Sequence, residues 1–134
     1  MVCLDSSAII DILRKRLDLE QLKIKCGKDE IIKIPSPAII KVIRGLYLDQ
    51  NIPNVRENEK DKINKLFSSF PILNFDKNCA IEIGEMKADL INMGEKIDIE
   101  DIMIGVIAKQ NGEKLITRNV KHFERIKELE VEGY

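Results

Sequence analysis

Three carboxylates, Asp98, Glu100 and Asp101, stand at the head of an almost wholly apolar segment running from Ile102 to Ala108. Asp5 separates the apolar Met1 to Leu4 from two hydroxyls, Ser6 and Ser7, and Asn119 closes the run Leu115-Ile116-Thr117-Arg118. Carboxylates and an amide are hard oxygen donors. They suit Mg²⁺ or Mn²⁺, which take one or two carboxylates and keep several waters. Asp5, Asp101 and Asn119 therefore make a candidate oxygen-rich site, provided the fold brings them to one place.

The flanking patterns say how it would. Met1 to Leu4, then Ser6-Ser7, then the helical spacing of Ala8 to Leu13 reads as strand, turn, helix, with Asp5 at the strand's carboxyl end. Ile102 to Ala108 reads as a buried helix that stops at Asn111-Gly112, and Lys114 to Thr117 as a buried strand. Between them, Leu17 to Lys28 is an amphipathic, lysine-rich helix and Ile31 to Ile34 a strand. Ser36-Pro37 starts a helix with Ile39, Ile40, Val42, Ile43, Leu46 and Tyr47 on its core face. A loop at Asn51 to Asn54, a helix from Glu57 to Phe70, a strand from Ile72 to Phe75 and an Asp76-capped helix from Lys77 to Met93 follow. Phe123 to Ile126 completes a short helical turn, and Leu129 to Val131 adds an edge strand. Strands alternating with helices predict an α/β fold, a central parallel sheet between helical layers. Ligands of such sheets sit outside the carboxyl ends of the strands, where Asp5 and Asn119 would be.

Composition bounds the alternatives. With 134 residues, 44% hydrophobic and 34% charged, a single domain over residues 1–134 is expected, burying about two-thirds of the surface of its unfolded chain. Lys+Arg 22 against Asp+Glu 23 leaves a formal charge of -1, so nucleic-acid binding would need a local patch rather than a global excess. Three cysteines, at 3, 26 and 79, lack metal-ligand spacing and even pairing, which predicts reduced thiols in the cytoplasm. There is no signal-peptide pattern and no apolar stretch near the ~18 residues of a membrane span. Phosphate-cradling glycine loops and nucleophile elbows are absent. Asp5 as a phosphoryl-accepting nucleophile is disfavoured: Ser7 stands where a phosphatase of the haloacid-dehalogenase type has its second aspartate, and the acidic doublet of a receiver domain is missing.

Structural roles compete for the same residues. Asp5 or a neighbouring serine would cap a helix, and Asp98 and Glu100 are accounted for by the favourable placement of acids at a helix N-terminus. A carboxylate heading an apolar helix is costly to bury unless paired or metal-bound, which favours Asp101 as a site residue. His122, beside Phe123, reads as a hydrogen-bonded packing residue with no catalytic role. Lys109, Arg118, Lys121 and Arg125 form either a phosphate-contacting patch or the usual cations of helix ends.

Four runs in this order, LDSSAIIDIL at 4–13, SPAIIKVIRG at 36–45, ILNFDKNCA at 72–80, and GEKIDIEDIMIGVIA with LITRNVKHF at 94–123, resemble the PIN domains, most closely the VapC-type toxins of toxin–antitoxin pairs. The resemblance implies a three-layer α/β/α PIN-like fold and Mg²⁺- or Mn²⁺-dependent ribonuclease activity on RNA, with a small antitoxin protein and a homodimer as partners. Carried over residue by residue, Asp5 and Asp101 are metal-holding acids, Asn119 falls where the family has Asp or Asn, and Ser7 matches the hydroxyl that steadies metal-bound water. Thr117 and Arg118 match a segment beside the site, and Lys121 follows it as a substrate contact. One position departs. Four residues before Gly45, where the family has a glutamate, this chain has Lys41, and Asp49 lies about 12 Å further along a helix. Lys41 either weakens metal binding or sets its ammonium where a cation would sit. The alternative function is therefore a catalytically impaired PIN-fold module for RNA or protein contact.

Overall fold

A computed structural model describes residues 1–48 and 59–134. Among these, five strands and seven helices follow one another as β1 (Val2–Leu4), α1 (Ser6–Leu13), α2 (Leu19–Cys26), β2 (Ile32–Pro35), α3 (Ser36–Leu48), α4 (Lys60–Ser68), β3 (Ile72–Leu73), α5 (Lys77–Asn92), α6 (Ile99–Gln110), β4 (Lys114–Ile116), α7 (Val120–Phe123) and β5 (Val131–Glu132). The loop expected at Asn51 to Asn54, Asp49, and the Glu57 start of the helix before Phe70 lie outside the described residues. The expected third strand is shorter than its apolar run: it ends at Leu73, Phe75 is exposed, and Asp76 turns the chain into α5 by accepting the Cys79 N–H at 2.9 Å. No helix among the described residues is long and apolar enough to cross a membrane.

The strands form one parallel sheet in the order β3-β2-β1-β4-β5. All three β1 residues are buried, as in a sheet covered by helices on both faces. From the central β1 the chain moves outward through β2 and β3, then returns to the other side of β1 for β4 and β5. The order reverses between β1 and β4, the place where open parallel sheets open a crevice for ligands. Register matters here. Leu4 lies opposite Ile116, and the Asp5 N–H donates to the Ile116 carbonyl at 3.0 Å, so the residues leaving the two strands, Asp5 and Thr117, emerge side by side.

Helix α6 lies between two apolar cores. Its Ile104 and Ala108 pack with the sheet residues Leu4, Ile34 and Leu115, while Ile102, Val106 and Ile107 pack with Ile83 and Leu90 of α5. It ends as the Asn-Gly signal predicts. Gly112 takes φ +65°, its N–H bonds to Lys109 O at 3.1 Å, and Glu113 N–H reaches back to Ala108 O at 2.9 Å, which satisfies carbonyls the helix leaves open. The cysteines are free, and burial pushes the Cys3 thiol far above its usual range.

Gly105, in the middle of α6, lets the segment after α7 close on the helix: a Cβ there would collide with the Ile126 side chain and come within 3.3 Å of Leu129 Cδ2. Ile126 is 2% exposed and has little room to move. Alanine would gain up to ~1 kcal/mol of helix propensity but overpack the core by ~1–3 kcal/mol. Gly105→Ala should lower stability by about 1 kcal/mol, read as a lower urea midpoint at unchanged slope. A raised midpoint would mean that Ile126 swings aside freely.

Candidate active site

Asp5 is 1% exposed, so its carboxylate must be solvated by the protein. Ser7 Oγ and Thr117 Oγ1 donate to Oδ2 at 3.0 and 2.8 Å, and Ser6 Oγ donates to Oδ1 at 3.3 Å. The serines come from the first turn of α1 and the threonine from the end of β4, a direct result of the β1–β4 register. Asp5 opens α1 as its N-cap residue, yet its side chain makes no cap bond. The capping role is thus left to the backbone, and the acid is turned to the exit of β4.

Asp101 sits in the first turn of α6, where the helix dipole favours negative charge. Asp98, the N-cap, is exposed and makes no side-chain cap bond, and Glu100 is drawn to Arg44 at 2.6 Å, which holds its carboxyl below the usual range. Both oxygens of Asp101 are engaged. Lys41 Nζ of α3 donates to Oδ1 at 2.5 Å, and His122 Nε2 lies 2.8 Å from Oδ2. Lys41 and Arg44 are three residues apart on α3, so one face of that helix lays two cations against the two acids of α6. Lys41 points into the site.

His122 does more than pack. Its ring meets Phe123 edge-on at 5.4 Å, as a packing residue would, and it also joins Asp101 to Arg125. Arg125 Nη2 lies 2.5 Å from His122 Nδ1, and a guanidinium has only donors, so Nδ1 accepts and the Nε2–H donates to Asp101. Arg125 is itself held by Glu95 Oε2 at 2.7 Å through Nη1. A chain of alternating charge and hydrogen bonds, Glu95, Arg125, His122, Asp101, Lys41, thus runs across the site. The signal for His122 was its place one turn after Asn119; for Arg125 it was the next turn.

An open cleft of about 610 Å³ lies against Asp101, lined by Arg118, Asn119, Val120, Lys121 and His122. Asn119 is exposed, and its N–H donates to Thr117 Oγ1 at 3.0 Å; it precedes α7 without a side-chain cap bond. Arg118 and Lys121 stand at this cleft, but Lys109 and Arg125 line a different one, where Lys109 pairs with Glu82. The four cations do not form a single patch. Asp5, Asp101 and Asn119 match a hard divalent cation in donor type, and the neutral hydroxyls around Asp5 leave its charge uncancelled. Lys41 competes at Asp101. Among the described residues no group of three or more His, Cys, Asp or Glu side chains is arranged to hold a metal ion.

Comparisons with known proteins agree with this architecture. The chain is 29% identical to ribonuclease VapC2 of Rickettsia felis over 108 residues, covering 81% of this chain and 78% of that one. It is also 29% identical to ribonuclease VapC1 of Methanocaldococcus jannaschii, covering 99% of this chain and 86% of the relative. The crystal structure of VapBC2 from Rickettsia felis, bound to a DNA fragment from their promoter, superposes with a TM-score of 0.82 at 24% identity, covering 100% of this chain and 99% of the matched one. The PIN domain family model matches residues 2–129. Because that match runs through the parallel sheet and the edge carrying Asp5, Asp101 and Asn119, the chain belongs to the PIN domain family.

Proposed function

We propose that this protein is an endoribonuclease of the VapC toxin type, acting in the cytoplasm on RNA phosphodiesters with a Mg²⁺ or Mn²⁺ ion and restrained by a small antitoxin partner. The observation that carries the reading is the cleft beside Asp101, with an acid in its wall and Arg118 and Lys121 on its lip. That is a charge pattern that suits a polyanionic substrate, with cations for its phosphates and a carboxylate that would help to hold a divalent ion. The relatives named ribonuclease VapC support the reaction, and the similarity to a VapBC complex supports the antitoxin.

Asp5 and Asp101 would hold the ion, with Asn119 as a further oxygen donor; a bound divalent ion would supply Lewis-acid chemistry for phosphodiester hydrolysis. The chain's own groups orient the rest. Ser7 and Thr117 fix the rotamer of Asp5 by donating to one oxygen, and the His122 Nε2–H fixes Asp101 through the other side of its carboxylate. Arg118 and Lys121 take non-reacting phosphates and set the register of the strand, a role that positions without reading sequence. Asp101→Asn leaves the largely buried Lys41 ammonium without its charged partner, so it should lower the melting temperature while the chain still folds, and it should lower cleavage of a fluorogenic RNA, assayed below that temperature, by at least ~100-fold, since it removes charge at the reacting end. Full activity in that variant would exclude Asp101 from the chemistry.

A second reading, a PIN-fold module that contacts RNA or protein without cleaving, is favoured by the Lys41–Asp101 pair. With Asp5 and Asp101 ionised the site carries about -2, and the ammonium brings it to about -1, which opposes capture of a divalent ion. Glutamate at 41 would bring it to about -3. Lys41→Glu should therefore tighten Mn²⁺ binding by at least ~10-fold even with heavy screening, and raise metal-dependent cleavage, with Lys41→Ala a smaller change in the same direction. Calorimetry with Mn²⁺ and the RNA assay on the three proteins test this. Full cleavage by the unmodified protein, unchanged in either variant, would show that the ion binds without contesting Lys41.

A further inference from the structure

Residue 118 is gripped twice by one face of α1. Ser7 and Asp11 are one helical turn apart and point the same way. Ser7 Oγ accepts the Arg118 backbone N–H at 3.1 Å, and Asp11, 3% exposed, accepts Arg118 Nη1 at 3.1 and 3.2 Å on its two oxygens. The other side of Asp11 is occupied from a distant part of the chain: the Tyr134 hydroxyl donates to Oδ2 at 2.5 Å.

The sheet explains how Tyr134 gets there. Because β5 runs parallel to β4, its carboxyl end reaches the same edge as those of β1 and β4. Gly133 lies so close to the β4 exit that a Cβ would stand 3.2 Å from Val120 Cγ2 and 3.8 Å from the Thr117 carbonyl, and Lys25 Nζ holds the Gly133 carbonyl at 3.2 Å. Burial, reinforced by Asp11, raises the Tyr134 hydroxyl well above its usual range, so it remains a donor at any physiological pH.

Both bonds from Arg118 to Asp11 use Nη1. The Nε–Nη2 edge, which carries no bond among the described residues, is the edge that meets two phosphate oxygens in the fork geometry of arginine. Arg118 keeps 56% of its side chain exposed and lines the cleft beside Asp101. An exposed arginine ordinarily gives up much rotamer freedom on binding a ligand, and a guanidinium already fixed from behind gives up less. We propose that Asp11 and Tyr134 are positioning residues for Arg118, together holding its guanidinium with the free fork turned to the cleft, where it takes the phosphate oxygens of RNA. This rests on the reading of Arg118 as a phosphate contact.

The test measures binding of a fluorescein-labelled single-stranded RNA to the full chain by anisotropy, in EDTA, so that neither cleavage nor metal occupancy enters. Arg118→Ala should weaken binding about 10- to 100-fold and reduce the salt slope by about one. Tyr134→Phe, which removes one oxygen and keeps the ring, should weaken it about 3- to 10-fold in the native background and leave it unchanged in the Arg118→Ala background. Asp11→Asn, which keeps the shape but not the charge, should behave as Tyr134→Phe does, more strongly; where it fails to fold, the tyrosine pair of measurements decides alone. In cleavage assays the Tyr134→Phe effect should fall on KM and spare kcat. If Arg118→Ala changes neither affinity nor salt slope, the phosphate reading falls and the proposal with it. If Arg118→Ala weakens binding but Tyr134→Phe has no effect, or the same effect in both backgrounds, the positioning role alone is wrong.

Discussion

A carboxylate withdrawn from water has to be solvated by its own protein, and the way this chain solvates Asp5 fixes much of its architecture. The donors come from residues 6 and 7 and from residue 117, so the acid is satisfied only when β1 and β4 are adjacent and level. Ser7 and Thr117 also bond to each other's surroundings: Ser7 Oγ takes the Arg118 N–H, and Thr117 Oγ1 takes the Asn119 N–H. One buried charge thereby sets the path of the three residues that leave β4. Removing a donor from such a network leaves an under-solvated ion, which costs more than the bond itself contributes.

Asp101 is solved differently, with formal charge instead of hydroxyls. Its side chain is 7% exposed and its ammonium partner 21%, so the pair is largely withdrawn from water. Breaking one side of such a pair is far more damaging than never having had it. With Lys41 present, the folded state has no need of an ion to neutralise the acid of α6, and structural integrity is uncoupled from metal supply. A glutamate at the same place would reverse that, leaving a cluster of acids that repel until a cation arrives.

The fold was legible because its signals are local and agree with one another: short apolar runs ending in Asp or Thr, helix starts such as Ser36-Pro37, and the Asn111-Gly112 stop. The PIN resemblance added the order of the acids, and Lys41 stood out as the departure from it. What local pattern could not supply were partners. Nothing near His122 in sequence says that its ring will face Asp101, and nothing near Asp11 points to Tyr134, since these contacts depend on how α1, α6, α7 and the end of β5 meet in space. Whether the four cations form one patch, left open between a phosphate-contacting patch and helix-end cations, depends on the same long-range geometry. Lys109 and Arg125 are close in character to Arg118 and Lys121, yet the two pairs line different clefts.

The central position of β1 has a kinetic consequence. Its neighbour on one side is β2, reached after two helices, but its neighbour on the other is β4, with Val2 set against Lys114 near the far end of the chain. Closing so long a loop is entropically costly before any contact rewards it, and parallel pairings of this kind fold slowly for their size. Until β4 docks, one edge of the innermost strand stays open and Asp5 remains hydrated and mobile. The edge that carries Asp5 is consequently assembled by the most sequence-distant pairing of β1, so the buried environment of that acid depends on a contact made across most of the chain.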